Sequence, residues 1–286
     1  MSVEITTAFV QQYKSNVQLL SQQMGSKLRN SVRVESVNAE YAYFEQIGAV
    51  TAQLKTSRHG DTPQSDTPHL RRRVGLNDYE WADFIDKEDR IRTLIDPTSP
   101  YAKNAVYAFG RAMDEEILEA ALGTAYTGKS GGTAVTFPSG QQIAAGATGL
   151  TIEKLIEARR ILWDNDVDES IPLFMAVTGK QLEDLLNTTK VQSADYNTIK
   201  ALVRGEINQF VGFTFIRTNL VNLNGSTREC VAWAKDGLLL GLGKDINTKI
   251  SERPDKSYLT QVYCSMTIGA TRMEEEKVIQ VDCTES

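Results

Sequence analysis

The sequence predicts a mixed α+β fold that carries long appendages, and three observations lead there. From Ser99 to Gly123, apolar residues recur every three or four positions, the mark of one long amphipathic helix. From Gln261 to Ala270, and again from Lys277 to Cys283, apolar and polar residues alternate, the mark of half-buried strands. Between Thr151 and Ile216, helix-like and strand-like stretches take turns, as in a mixed lobe. A chain of 286 residues is long enough for a substantial core and two lobes.

In chain order, residues 1–30 form a separate, mildly basic segment. Phe9, Tyr13, Val17, Leu20, Met24 and Leu28 keep helical spacing, with glutamines between them. The segment has one stripe to bury and is expected to lay it on a neighbouring copy. Residues 31–76 read as strand and loop, with Val32 and Val34, then Ala42 and Phe44, alternating with polar residues. The stretch from Lys55 to His69 holds two prolines and a His-Gly-Asp turn and cannot support a core. Its flanks, Ile47–Leu54 and Leu70–Leu76, are expected to pair as a long hairpin with the polar stretch as its tip. Such a hairpin buries little by itself and needs something outside the domain to lie on. Residues 77–95 then turn acidic. Arg71, Arg72 and Arg73 thus stand next to Asp83, Asp86, Glu88 and Asp89, and these charge blocks are candidate patches for contacts between copies.

The long helix has clear ends: Ser99 suits the N-cap, Pro100 the first turn and Gly123 the C-terminal cap. Val106, Phe109, Met113, Ile117 and Ala121 should form its buried face, along roughly 33 Å. Asp114, Glu115, Glu116 and Glu119 oppose the helix dipole in its second half, so they are expected to serve something other than helix stability. A glycine-rich loop with one short hairpin should follow to Gly149. Thr151 opens a helix to about Trp163, and Ile171–Val177 reads as a buried strand. Thr178-Gly-Lys-Gln181 is a capping box opening a helix with Leu182, Leu185 and Leu186. A helix near Tyr196–Val203, a strand at Phe210–Ile216 and a strand at Val231–Leu242 are expected next. The last two alternating stretches should pair antiparallel through a turn at Thr271–Glu274.

Chemistry is sparse. Gly123 to Ser130 matches the phosphate-loop pattern G-x-x-x-x-G-K-[ST], but a helix precedes it and no helix follows, the reverse of what that mechanism needs. His59, Asp61 and His69 lack an apolar second shell to orient them on a metal. With no third histidine, Ser-His-Asp and Cys-His catalysis are disfavoured. Asp83 and Asp86 form only a carboxylate pair. No catalytic residue, metal or cofactor is therefore assigned. A net charge of −6 argues against a general nucleic-acid binder. Cys230, Cys264 and Cys283 read as reduced thiols. There is neither a signal-peptide pattern nor an apolar run of about 20 residues to span a bilayer.

The stretch from His69 to Gly123 resembles the passage from extended loop into spine helix in major capsid proteins of tailed bacteriophages. That family has the Hong Kong 97-type shell fold, shared with encapsulins. Gly205–Asn219 resembles a strand region of its axial domain; Val231–Asp236, Gly269–Arg272 and Lys277–Val281 resemble its closing segments. The resemblance implies an N-terminal arm at 1–35 and an extended hairpin loop at 36–78. It also implies a peripheral domain at 79–125 and 245–286 around the spine helix 99–123, and an axial domain at 126–244. It implies an icosahedral shell of many copies, as pentamers and hexamers, around double-stranded DNA that it contacts only weakly. A portal and a separate scaffolding protein would be partners, and some relatives carry a decoration protein. Assembly would take place in the bacterial host cytoplasm. An encapsulin-like compartment or gene-transfer-particle shell is the alternative reading, and a nucleotide-binding enzyme the remote one. On this reading Arg71, Arg72 and Arg73 face carboxylates of an adjacent copy, and exchange of Arg72 for Glu spares the fold but blocks assembly.

Overall fold

The computed structural model describes residues 20–58, 60–62, 64–86, 98–187 and 209–285. The elements run β1 (Arg33–Ser36), β2 (Tyr41–Ile47), β3 (His69–Gly75), β4 (Asn77–Ile85), α1 (Thr98–Leu122), β5 (Ala125–Thr127), β6 (Thr133–Val135), β7 (Gln142–Ile143), α2 (Ile152–Asp164), β8 (Leu173–Val177), α3 (Gly179–Asn187), β9 (Gln209–Phe210), β10 (Phe213–Arg217), β11 (Leu223–Asn224), β12 (Thr227–Ala234), β13 (Leu238–Arg253), β14 (Leu259–Arg272) and β15 (Val278–Thr284). They form three sheets: β1-β13-β14-β4; β7-β15-β12-β8-β10-β9 with β11 on β12; and β2-β3-β5-β6.

The long helix α1 lies across the first sheet, against β14. Its buried face is Ala105, Phe109, Met113, Ile117 and Ala121, with Ala105 rather than Val106 at the first contact. Cys264, Met266 and Ile268 of β14 share its core, and they and Val262 are all buried, as their alternation required. Arg272, at the end of β14, closes the C-terminal end of α1: Nη1 donates to the carbonyls of Ala121 (2.9 Å) and Gly123 (2.8 Å). A buried cation there satisfies carbonyls that the helix cannot pair itself, and it suits the dipole. In the second sheet the central strand β12 buries Cys230 to Ala234 without a break, because it is covered on both faces. Thr151 caps α2, and the Thr178–Gln181 capping box forms, with Thr178 N–H donating to Gln181 Oε1 (3.0 Å).

Several expectations are corrected. β14 and β15 do not pair. β14 sits between β13 and β4, whereas β15 sits between β12 and β7, and residues 273–277 carry the chain from one sheet to the other. The strand expected at Phe210–Ile216 is a tight hairpin of β9 and β10, with Val211 (φ 51°) and Gly212 (φ 81°) both left-handed in its two-residue turn. The Val231–Leu242 run is likewise two strands, broken where Gly237 N–H bonds the Ala234 carbonyl. In the hairpin, Tyr41–Ile47 pairs with His69–Gly75, so of the predicted Ile47–Leu54 flank only Ile47 is in a strand. Residues 20–28 are not helical. The helix expected near 196–203, and Phe9 and Tyr13, lie outside the described residues.

The last residues are tied down by charge. Glu285 takes two bonds of 2.9 Å from Arg228, which holds its carboxyl below the usual carboxylate range. A lowered folded pKa contributes stability above the ordinary value of 4.5 that is lost as pH falls through the folded value. Urea titrations between pH 6 and pH 3 should therefore show Glu285→Gln with a shallower acid loss of stability than wild type.

Candidate assembly surfaces

Two appendages leave this body, and each has a built root. The first is the strap 22–28, which crosses α1 at a pair of glycines. A Cβ on Gly110 would stand 2.3 Å from the Gly25 carbonyl carbon, so the backbones touch only because no side chain intervenes. One turn further on, Asp114 is fully buried (0% exposed). It accepts from the backbone N–H of Lys27 (2.9 Å) and Leu28 (3.0 Å), from Ser26 Oγ (2.6 Å) and from Gln23 Nε2. A buried carboxylate is tolerated only with such a donor set. Leu28 and Val32 then enter the core, and β1 pairs in parallel with β13. Upstream of the clamp, Leu20 is 88% exposed.

The second root belongs to the β2–β3 hairpin. Arg72 is buried rather than displayed: its Nε donates to the Met273 carbonyl (3.1 Å) and its Nη2 to Glu275 Oε2 (2.9 Å). Glu275 also lies 3.5 Å from Arg272, so one carboxylate ties the hairpin to the residue that closes α1. Gln46 adds a bond to the same Met273 carbonyl (2.6 Å). Arg72 thus leaves the set of inter-copy candidates, because a guanidinium spent inside the chain has nothing to offer a neighbour. Arg73 lies between the rings of Tyr41 (4.9 Å) and Tyr126 (4.5 Å), a cation–π sandwich at the hairpin base. Arg71 is exposed and pairs across the hairpin with Glu45 (2.7 Å). Beyond the Gly48–Pro68 bond the described residues of the tip form no strand, and Leu54 among them is 88% exposed.

The acidic stretch is β4 and its continuation. Asp83 and Asp86 are partly buried; Glu88 and Asp89 lie outside the described residues. Asp78 accepts from Thr267 (2.6 Å) and Glu80 from Tyr263 (2.8 Å), both on the face of the sheet away from α1. On the other face, the Tyr79 hydroxyl donates to Glu116 (2.6 Å); burial first, and that carboxylate second, push the phenol well above its ordinary pKa. Asp114 and Glu116 therefore explain why acids stand in the unfavourable half of the helix. That misplacement was the signal for them in the sequence, whereas Arg272 and Glu275 gave none.

No phosphate cradle exists at Gly123–Ser130. These residues form β5 and the turn into β6, without the helix that would aim amides at phosphate. Asp61 and His69 stand on the hairpin and His59 lies outside the described residues. Among those residues no group of three His, Cys, Asp or Glu is placed to hold a metal, and no helix is long and apolar enough to cross a membrane. The three cysteines are free and buried.

Two segments fixed by buried polar roots, with Leu20 and Leu54 exposed beyond them, are the features of an assembly subunit. The chain belongs to the phage capsid protein family, whose sequence profile matches residues 5–285. No curated protein sequence matches it. Solved structures share the fold at low identity. The capsid of Ralstonia phage GP4 superposes with TM-score 0.74 at 11% identity, covering 97% of this chain and 96% of that one. The capsid of cyanophage P-SCSP1u gives 0.72 at 16%, covering 98% and 94%. The capsid of a native GTA particle gives 0.65 at 13%, covering 99% of each. This is the phage-capsid fold that the resemblance implied, and the chain is a structural capsid protein.

Two exchanges and one control test the roots. Asp114→Ala orphans buried donors and should lower the unfolding free energy of the free subunit by about 3 kcal/mol, read from the denaturant midpoint. Arg72→Glu should cost roughly 3–5 kcal/mol by the same measurement, whereas Arg71→Glu should stay within about 1 kcal/mol of wild type.

Proposed function

We propose that this chain is the major subunit of an icosahedral shell, built of pentamers and hexamers, that encloses double-stranded DNA. The observation that carries the reading is the pairing of buried polar roots, at Asp114 and Arg72, with apolar residues left exposed beyond them, at Leu20 and Leu54. Residues 1–35 act as the arm and 36–78 as the extended loop. Residues 79–125 with 245–286 form the peripheral domain, and 126–244 the axial domain. Each hairpin lies on the next copy, where its basic residues meet an acidic surface. Arg71 is the hairpin's contribution, with Arg73 presented by its tyrosines. Asp83, Asp86, Glu88 and Asp89 of the adjacent copy are the acceptors, joined by Asp78 and Glu80. Phe9 and Tyr13 of the arm supply apolar contact to a neighbour.

Single exposed pairs contribute about 0–1 kcal/mol. Repetition around closed rings lets them set register while buried apolar area supplies most of the binding. The net charge of −6 keeps the shell from gripping its contents by counterion release. A portal and a separate scaffolding protein complete assembly in the host cytoplasm, and no reaction is catalysed. The match to a GTA capsid favours a gene-transfer particle as the second reading.

Sedimentation and electron microscopy of the protein expressed with its scaffolding partner test this. Wild type should give closed shells. Deletion of residues 49–67 should leave a folded subunit that forms none. A wild-type chain that stays monomeric under these conditions would overturn the proposal.

A further inference from the structure

The first turn of α2 holds a buried cation. Lys154 is 7% exposed, and the carboxylates of Asp282 and Asp184 are the acids that act on it. Its Nζ meets four backbone carbonyls: Ala145 (2.8 Å), Thr148 (3.0 Å), Gly149 (2.9 Å) and Asp282 (2.8 Å). An ammonium has only three N–H donors, so four converging oxygens exceed what its hydrogens can use. Converging carbonyl dipoles are how proteins replace the hydration shell of a bare monovalent cation.

The loop is shaped for this. Gly146 (φ 56°) and Ala147 (φ 55°) are both left-handed, and the reversal is closed by Thr148, whose N–H and hydroxyl both donate to the Ala145 carbonyl at 3.0 Å. The fourth oxygen comes from β15, whose end is stitched to the same loop by Thr284 N–H on the Thr148 carbonyl (2.9 Å). The charge thus joins the start of α2, the loop and the last strand.

We propose that residues 145–149 and the Asp282 carbonyl form a monovalent-cation site whose resident cation is the chain's own Lys154 ammonium. The ligand class follows from the cage. Neutral carbonyls favour a large, weakly hydrated ion over a small, strongly hydrated one, and potassium and ammonium are close in size to the lysine head group. The covalent tether makes the last strand independent of the salt around it. Removing the side chain should convert the cage into a site for free ions.

Thermal unfolding of full-length Lys154→Ala and Lys154→Met subunits tests this, in potassium, ammonium, lithium and choline chlorides at one ionic strength. Wild type should melt alike in all four. Lys154→Ala should melt lower by roughly 5 °C in choline and lithium and recover, saturably, in potassium and ammonium. Lys154→Met refills the channel with an apolar chain, so it should lose stability without ion-specific recovery. An alanine variant that responds equally to all four salts, or is as stable as wild type in choline, overturns the proposal. If that variant does not fold in choline, refolding in potassium or ammonium alone supports the site, and failure in every salt overturns it.

Discussion

A carboxylate removed from water must be given donors, and most of this subunit's layout follows from how Asp114 obtains them. The helix presents the group on its buried side, where no intrahelical partner exists. The strap supplies two backbone amides, a hydroxyl and a side-chain amide within six residues. Neither side is stable alone: Leu28 is the one buried apolar residue of the strap, and the bare carboxylate would cost several kcal/mol. Their union fixes where the arm leaves the body. It also delivers Leu28 and Val32 to the core and starts β1 in register with β13.

The hairpin is held by the same logic with the signs reversed. Arg72 and Arg272 bring buried positive charge; the Met273 carbonyl and Glu275 answer Arg72, and the carbonyls ending α1 answer Arg272. Such polar networks add less stability than an apolar core of equal volume, but they tolerate only one arrangement. That suits a part whose direction matters more than its own stability. A subunit repeated in a shell must aim its arm and hairpin the same way at the root, while their ends adapt to whichever neighbour they meet. Buried polar roots with Leu20 and Leu54 exposed beyond them are consistent with that division of work.

Much of this was legible from the residues. The helix Ser99–Gly123 lies within one residue of its true limits because its period acts over a few neighbouring positions, although it starts at Thr98, so Ser99 is a helical residue and not the N-cap. The inward residues of β14 were given by alternation alone. The basic and acidic blocks were visible, but their assignment failed at Arg72. A run of three arginines looks uniform in sequence, whereas in a strand alternate residues face opposite ways. Arg72 therefore points inward to Glu275 while Arg71 points out to Glu45.

What the sequence determined by itself was local: which segments are helix or strand, which faces are apolar, which stretch cannot fold on its own, and that an acid stood on the wrong half of a helix. What only the tertiary structure decided was partnership. Alternation says that a strand has an inside but not whose inside it is, so β14 and β15 read as a pair although they belong to different sheets. The strap's contact with Asp114 spans more than 80 residues of chain. The Lys154 cage joins oxygens from two such distant stretches. Backbone carbonyls and amides are the same in every residue, so their convergence on one charge leaves no trace in the order of side chains.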